Sequence, residues 1–186
     1  MAERVCPWWL GYLMASPLRR WRMQNPKDML APYIREGMTV LEPGPGMGFF
    51  TLPLAQMTGP NGRIVAVDIQ PEMLESLRRR ALKAGLLPRI ETRLAHADSM
   101  RIDDLKDTVD FVLAFAMVHE VPSAEVFFRE VASTLRPGAL LLLVEPAGHV
   151  KPDKFESELE AAQKAGLDPV RRPSMRRSLA AVLRKI

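Results

Sequence analysis

The segment from Val40 to Thr51 places the strongest limits on what this chain can fold into. It reads Val-Leu-Glu-Pro-Gly-Pro-Gly-Met-Gly-Phe-Phe-Thr, an apolar run that ends in an acid and continues with glycine at every second position. Glycine permits positive φ and lets another group approach the backbone closely. A helix that begins just beyond would add oriented N–H groups. The pattern is typical of an α/β sheet that holds a polar, nucleotide-like molecule at the carboxyl end of its first strand.

The rest of the chain predicts alternating strands and helices around this loop. Short apolar strands separated by helices of about 10–15 residues indicate βαβ units and a largely parallel sheet. The last two strands, which are more polar, indicate an antiparallel hairpin at the edge. We predict one domain over residues 38–186, preceded by an extension over residues 1–37. The strands are expected at 38–42, 63–67, 89–94, 110–115, 139–144, 168–174 and 178–185, and the helices at 26–36, 49–57, 71–84, 123–135 and 152–165.

Composition narrows the class of protein. The chain has 186 residues, 47% of them hydrophobic, which suits a single globular domain with a buried core. One cysteine, Cys6, excludes an internal disulfide and a cysteine-only zinc site, and it fits a reducing, cytoplasmic location. No apolar run approaches the roughly 20 residues of a membrane span, so no membrane partner is expected. Residues 5–15 are apolar, but Pro7 interrupts them and no basic segment precedes them, so we do not expect a signal peptide.

Two arginine clusters accompany a mild positive charge of +4. Such clusters can attract phosphate groups. They can equally be a solvated rim, because charge patterning alone says little about partners. The first cluster comprises Arg19, Arg20 and Arg22, and the second comprises Arg171, Arg172, Arg176 and Arg177.

Two common phosphate-binding motifs do not match the glycine loop. A P-loop requires a lysine after its last glycine, and Phe49 follows Gly48. A dinucleotide-binding fingerprint has the spacing G-x-G-x-x-G, whereas Gly44, Gly46 and Gly48 bring the third glycine one residue early. Pro45 also stands where a pyrophosphate would need the backbone.

The chain resembles the class I family of S-adenosylmethionine (SAM)-dependent methyltransferases over residues 35–186. The resemblance rests on the glycine loop after Glu42, on Asp68 at the end of the second strand and on three further segments. It implies SAM as the cofactor, S-adenosylhomocysteine as its product and a seven-stranded, doubly wound sheet. The expected strand order is 3-2-1-4-5-7-6, with the last strand antiparallel, helices on both faces and an N-terminal helical lid. The three further segments are His96-Ala97-Asp98, Asp110-Phe111-Val112-Leu113 and Leu135-Arg136-Pro137-Gly138.

Within this family the chain is similar to a prokaryotic subgroup, through Cys6-Pro7-Trp8-Trp9 and the segment from Phe115 to Val121. The resemblance to this subgroup does not indicate a substrate. It does favour a prokaryotic origin.

The resemblance also implies roles for residues around the cofactor. Asp68 can accept hydrogen bonds from the two ribose hydroxyls, although strand-end acids also cap helices. Asp98, with Ser99 beside it, can accept from the adenine amino group, although aspartate is common in turns. Glu42 is expected to face the methionine end, and the loop glycines Gly44, Gly46 and Gly48 to lie against it. Ile69 and Met100 could sandwich adenine or belong to the core, and Phe115 is a further expected cofactor contact.

The acceptor is expected beyond the ends of strands four and five. His119 is the first candidate for a general base or substrate contact, with Glu120 and His149 as weaker catalytic candidates and Glu145 as a pocket residue. Any of these side chains can instead be structural, because histidine often satisfies hydrogen bonds inside a fold. They could also bind a metal, but they lack a tight ligand spacing such as H-E-x-x-H, and no metal site is predicted.

The N-terminal extension supplies the other expected wall of the acceptor pocket. Trp8, Trp9 and Tyr12 would form an aromatic lid suited to hydrophobic or cationic small molecules. The same aromatic residues could simply pack a helix against the edge of the sheet.

The sequence is therefore compatible with three functions. The first is methyl transfer to a small-molecule acceptor, because the short chain carries no added recognition domain. The second is methylation of RNA or protein through the arginine clusters, although no N-P-P-[FY] motif follows the fourth strand. The third is a SAM-binding protein that no longer transfers methyl groups. Arsenic methylation is disfavoured, because its chemistry needs several thiols. The oligomeric state is not predicted.

Overall fold

The computed structural model describes residues 25–96 and 98–186. The chain divides into two compact units, Met1–His96 and Ala97–Ile186. The predicted lid residues Trp8, Trp9 and Tyr12 lie outside the described residues. The predicted boundary between an extension and a domain at residue 37 stays a prediction.

The first unit carries the glycine loop between a strand and a helix. Its three strands are parallel: β1 pairs with β2, and β2 pairs with β3. Pro71 opens a 13-residue helix at a position where proline costs no hydrogen bond, and Gly85, at φ +68°, follows its end. The elements in chain order are α1 Pro26–Leu30, β1 Thr39–Pro43, α2 Thr51–Met57, β2 Arg63–Asp68, α3 Pro71–Lys83 and β3 Ile90–Leu94.

The second unit combines one parallel strand pair with the terminal hairpin. Strands β4 and β5 are parallel, whereas β7 runs antiparallel to both β5 and β6. Ser123 caps the first helix of this unit by accepting a hydrogen bond from the N–H of Val126 at 3.3 Å. The elements are β4 Val109–Phe115, α4 Ala124–Thr134, β5 Leu135–Pro146, α5 Pro152–Lys164, β6 Leu167–Arg171 and β7 Ser178–Lys185.

The seven strands follow the order β3-β2-β1-β4-β5-β7-β6. This order, with β7 antiparallel among otherwise parallel strands and helices around the sheet, confirms the predicted fold class. The central strands are apolar because both of their faces are covered. Phe111, Val112 and Leu113 of β4 and Leu141 to Leu143 of β5 are fully buried or nearly so.

Three predicted elements are wrong in extent: the first helix, strand β5, and strand β6, which ends at Arg171 and not at residue 174. The first helix ends at Leu30 instead of continuing to residue 36. Pro32 has no N–H to donate to the carbonyl of Asp28, so the series of helical hydrogen bonds ends there, although Ala31 before it still has helical backbone angles. Strand β5 begins at Leu135, so Pro137 and Gly138 lie within a strand instead of before it. A register shift against β4 between Val109 and Phe111 accommodates them, and Gly138, at φ +80°, takes up the distortion.

None of the helices in residues 25–96 and 98–186 has the length and apolar character needed to cross a membrane.

Candidate functional site

The glycine loop leaves β1 in a sharply turned conformation that is tied to β2. The N–H of Gly44 donates to the carbonyl of Val67 at 2.8 Å, and the N–H of Gly48 donates to the carbonyl of Pro45 at 3.0 Å. Gly44, Gly46 and Gly48 all have positive φ, at +67°, +53° and +84°. Residues with a β-carbon rarely adopt this backbone conformation, so the alternating glycines are required by the turn.

Two of these glycines differ in what surrounds them. A β-carbon on Gly48 would lie 2.5 Å from Cδ1 of Leu77, so α3 packs directly against this glycine. Within residues 25–96 and 98–186, a β-carbon on Gly46 would meet no atom closer than 4 Å. Gly48 is therefore needed for packing, whereas the backbone at Gly46 faces open space that another molecule can enter.

Glu42 ends β1 as a buried carboxyl group with incomplete hydrogen bonding. Its side chain is only 3% exposed, and among the described residues its Oε2 has no hydrogen-bond partner. Burial raises the pKa of Glu42 to about 8; Thr51 partly offsets the rise and the charge of Asp68 adds to it. The buried hydroxyl of Thr51 is a neighbour of Glu42 but is not within hydrogen-bond geometry of it or of any other described residue. Such groups are costly unless a donor reaches them.

Asp68 ends β2 and organises the turn into α3. Its Oδ1 accepts a hydrogen bond from the N–H of Gln70 at 2.9 Å, and its carbonyl accepts from the N–H of Ala95 at 2.9 Å. The side chain therefore shapes the turn that leads into the helix, as the capping alternative predicted, although the helix cap itself is Gln70. This contact does not test the predicted ribose contact, which stays a prediction.

Two apolar side chains remain exposed at the same end of these strands. Ile69, directly after β2, is 44% exposed, and Leu94, paired with Asp68 in the sheet, is 49% exposed. Ile69 is therefore not a core residue. Its predicted contact with adenine stays a prediction.

Arg80 holds the glycine loop from α3, a contact that sequence patterns did not indicate. Its guanidinium donates to the carbonyl of Met47, which lies between Gly46 and Gly48. Burial lowers the pKa of Arg80. The contact spans 33 residues of sequence, so no local signal could have identified it.

In the second unit, Ser99 already has a structural partner. Its hydroxyl donates to Oε1 of Glu130 at 2.8 Å, and the N–H of Met100 donates to Oε2 of the same residue at 3.2 Å. Glu130 thus fixes the segment after Asp98, which is itself exposed. Met100 is buried, and its predicted contact with adenine, like those of Asp98 and Ser99, stays a prediction.

The backbone turns abruptly where β4 ends. Ala116, after the half-buried Phe115, has φ +55°, an uncommon value for a residue with a β-carbon. Its N–H donates to the carbonyl of Val144 on β5 at 2.7 Å. This turn leads into the short 3-10 helix Val118–Glu120, which carries His119.

His119 and Glu145 form a close pair. Nδ1 of His119 lies 2.5 Å from Oε2 of Glu145, and Oε1 of Glu145 accepts from the N–H of Val118 at 2.8 Å. Glu145 is fully buried, whereas the His119 side chain is 18% exposed. The hydrogen bond to Glu145 raises the pKa of His119, against the opposing effect of burial. When Nδ1 donates its proton to Oε2 of Glu145, Nε2 is the nitrogen left to accept a proton.

The other two predicted catalytic residues lie around His119 without a hydrogen bond to it. Oε1 of Glu120 is 3.8 Å from Nε2, and the ring of His149 lies edge-on at 6.1 Å between centroids. The described part of the chain contains no group of three or more His, Cys, Asp or Glu residues arranged to hold a metal ion.

Glu158 is a third carboxyl group of this cluster and was not predicted. It lies on α5, is 1% exposed, and neither of its oxygens has a hydrogen-bond partner within the described residues. Burial raises the pKa of Glu158 to about 7; the charge of Glu145 adds to the rise, and Lys154 and His119 oppose it. Its place on a helical face with Phe155, Leu159 and Ala162 offered a sequence signal, since a charged residue is unusual among buried apolar ones.

A family model described as "Methyltransferase domain" matches residues 40–138, more than half of the chain. The chain belongs to this family. The membership confirms the class predicted from the sequence, the SAM-dependent methyltransferases, and SAM as the cofactor of that class.

Curated relatives of this methyltransferase domain act in several pathways. The ubiquinone biosynthesis O-methyltransferase of Methylocella silvestris is 32% identical over 140 residues, which is 75% of this chain and 52% of the relative. The arsenite methyltransferase of Halobacterium salinarum is 32% identical over 61% of this chain and 28% of the relative. The ubiquinone/menaquinone biosynthesis C-methyltransferase UbiE of an Enterobacter species is 30% identical over 60% and 44%. The chain thus spans about half or less of the length of the curated relatives it matches.

Solved structures with this methyltransferase fold cover the chain well. A SAM-dependent methyltransferase from Aquifex aeolicus superposes with a TM-score of 0.86 at 23% identity, covering 98% of this chain and all of the other. TrmN from Thermus thermophilus gives 0.67 at 23% identity, over 87% of this chain and 48% of the other. At this level of identity the likeness shows the fold alone.

Proposed function

We propose that this protein transfers a methyl group from SAM to a small-molecule acceptor. The observation that carries the proposal is the glycine loop, with open space at Gly46 beside a buried carboxyl group at Glu42. Family membership indicates that SAM is the molecule that binds here. The methionine end of SAM carries an ammonium group and other polar atoms that can form hydrogen bonds with Glu42 and with the loop backbone.

The residues of the first unit fit such a cofactor. Glu42 Oε2 and Thr51 Oγ1 are buried polar atoms without partners among the described residues, and a bound donor would remove that cost. In this proposal the loop backbone and Glu42 bind the methionine end of SAM, and Asp68 accepts hydrogen bonds from the ribose hydroxyls. The exposed side chain of Ile69 packs against the adenine ring. When bound, SAM supplies a sulfonium-activated methyl group, and the chain contributes orientation and exclusion of water.

The second unit supplies the proposed acid–base group. Nδ1 of His119 is bonded to the buried Glu145, which fixes the ring and leaves Nε2 to take a proton from the acceptor. Glu120 and His149 stay proposed contacts of the acceptor. Two relatives are named for ubiquinone or menaquinone biosynthesis, which supports a small-molecule acceptor here. This chain has one cysteine, so it lacks the several thiols that arsenic methylation needs, despite its similarity to an arsenite methyltransferase.

A nucleic-acid acceptor is the second candidate, supported by four exposed arginines at the hairpin. Arg172 already forms a two-pronged ion pair with Glu156 on α5, at 2.7 Å for one of its contacts, so it has a structural role. Binding of RNA through the others would weaken steeply with salt. A flat salt dependence would exclude that candidate. The second-cluster arginines are Arg171, Arg172, Arg176 and Arg177.

The proposal is tested in two steps. Titration calorimetry with SAM and with S-adenosylhomocysteine measures cofactor binding, and a protein that binds neither contradicts the proposal. SAM carrying a deuterated methyl group, incubated with the protein and a metabolite extract, then labels the acceptor for mass spectrometry. A labelled product that forms with wild-type protein and not with Asp68→Ala supports methyl transfer. SAM binding without any labelled product favours the catalytically silent alternative.

A further inference from the structure

Glu158 is a buried carboxyl group to which none of the residues described by the structure donates a hydrogen bond. It is 1% exposed, and both Oε1 and Oε2 lack a partner in the described parts of the chain. A buried carboxylate without hydrogen bonds destabilises a fold, which makes Glu158 a candidate for a functional role. A glutamine or an aliphatic residue of similar size would fill the same place on α5 at lower cost.

The electrostatic surroundings of Glu158 lead to His119. The groups that act on Glu158 are Glu145 on β5, Lys154 on its own helix and His119 after β4. The groups that act on His119 are Glu145, Glu120 on its own 3-10 helix and Glu158. Glu145 and Glu158 are thus two buried carboxyl groups whose charges both act on the His119 imidazole, and within the described residues Glu145 is the one that bonds to it.

We propose that Glu158 is a positioning residue for His119: its carboxylate, acting with Glu145, stabilises the imidazolium that forms when His119 takes a proton from the methyl acceptor. Glu145 binds Nδ1–H and orients the ring, and Glu158 supplies a second negative charge at longer range. The inference rests on the proposed methyl transfer and narrows its acceptor to a group with a dissociable proton, an O–H or N–H.

The reaction that this arrangement serves balances as follows. The acceptor's O–H or N–H bond breaks and its proton goes to Nε2 of His119. The acceptor's electron pair forms the new bond to the methyl carbon while the carbon–sulfur bond breaks and leaves its pair on sulfur. His119 then carries the positive charge that Glu145 and Glu158 face. A thioether or tertiary amine acceptor would need no such base.

The chain offers a simple spectroscopic test, because it has three histidines. The pKa of His119 is measured by NMR titration of the imidazole signals, assigned with His119→Gln and His149→Gln. In Glu158→Gln the charge is removed with little change in shape, and we expect the pKa of His119 to fall by about 0.5 or more. Glu156→Gln, two positions earlier on the exposed side of α5, is the matched control and should leave it unchanged.

An unchanged His119 pKa in folded Glu158→Gln overturns the proposal. If this variant fails to fold, the ¹³C titration of the Glu158 carboxyl in the otherwise native chain decides. A midpoint near 7 that rises in His119→Gln supports the coupling, since the positive charge that lowered it is gone. A midpoint in the ordinary range of glutamate, or one that does not move in His119→Gln, overturns it.

Methyl transfer provides a separate readout. Once an acceptor is labelled, Glu158→Gln should shift the pH profile of kcat in step with the pKa of His119 while the KM for SAM stays unchanged. A shift of His119 without any methyl transfer by the wild-type protein would defeat the proposed function and leave the Glu158–His119 coupling standing. Methyl transfer with an unshifted profile would retain the function and reject the role of Glu158.

Discussion

Leu77 on α3 occupies the space that a β-carbon on Gly48 would need, with its Cδ1 2.5 Å from that position. The loop and the helix are therefore packed together through a glycine. Two residues earlier, Gly46 has the same kind of backbone and open space beside it. Of these two glycines, Gly48 is needed for the packing of the loop against α3, whereas Gly46 leaves space that a ligand can occupy.

This division predicts different outcomes for alanine at the two positions. Gly46→Ala should cost about 1 kcal/mol of stability through its positive φ and should abolish or strongly weaken SAM binding, because the added methyl enters the open space. Gly48→Ala should destabilise the fold more, through the clash with Leu77. Gly37→Ala is the control, since Gly37 also has positive φ and open surroundings but lies before β1. Thermal unfolding and calorimetry measure both effects, and SAM affinity retained in Gly46→Ala would contradict the loop assignment.

Asp68→Ala should weaken SAM binding by about 1.5–3 kcal/mol, the usual cost of losing hydrogen bonds to a charged group. Glu72→Gln, which also removes a carboxylate near the start of α3, should leave affinity unchanged, because Glu72 is exposed on the first turn. If calorimetry finds equal affinity for SAM in Asp68→Ala and in the wild type, the only role left for Asp68 is its hydrogen bond with the N–H of Gln70 in the turn before α3.

Glu42 predicts how stability changes with pH in the ligand-free protein. Its pKa is raised from 4.5 to about 8 in the fold, so between these values the folded state holds a proton that the unfolded chain has lost. The free energy of unfolding should therefore fall as pH rises through this window, by up to about 1.4 kcal/mol per pH unit. Below pH 4.5 both states are protonated, and above 8 both are ionised, so the dependence ends.

Glu158, with a pKa of about 7, contributes in the same direction at lower pH. His119, whose pKa is raised above 6.5 by its hydrogen bond to Glu145, adds to the decline above that pH. Denaturant unfolding should show the decline between pH 7 and 8 in wild type and in Glu158→Gln, and Glu42→Gln should make it less steep by removing the share of Glu42. A decline of equal slope in Glu42→Gln would show that another group causes it.

Arg80→Met should loosen the glycine loop, because the carbonyl of Met47 loses its guanidinium donor. We expect SAM affinity to fall by about 1 kcal/mol, with faster hydrogen exchange of the amides in the loop. Arg79→Met changes the neighbouring, exposed arginine of α3 and should have no effect on either measurement. Equal hydrogen exchange in the two variants would mean that the loop keeps its shape without Arg80.

His119→Ala should lower kcat by about a hundredfold or more while SAM affinity stays near the wild-type value, as expected for loss of a general base. This pattern is the reverse of the one expected for Asp68→Ala. Labelled-methyl assays measure the rate, and calorimetry measures the affinity. A variant with normal turnover would make the His119–Glu145 pair a structural hydrogen bond only.

Local signals in the sequence located most of the fold. The apolar run before Glu42, the proline at residue 71 and the glycine at residue 85 predicted where β1 and α3 begin or end, because turns and caps depend on neighbouring residues. The extent of β5 could not be predicted in this way. Its first residues pair with Val109 on β4, and Pro137-Gly138 looked like a break between elements.

The residues of the candidate site show the same difference between local sequence signals and long-range contacts. The sequence determined which chemical groups stand near strand ends, because each follows an apolar run: Glu42 and Asp68 in the first unit, and His119 and Glu145 in the second. Only the tertiary structure decided that Arg80 holds the loop, that Gly46 and Gly48 differ in their surroundings, and that Glu158 lies buried without a hydrogen-bond partner among the described residues. These properties depend on packing between residues far apart in the chain, 33 positions in the case of Arg80 and Met47. Periodicity along the sequence carries no information about such contacts.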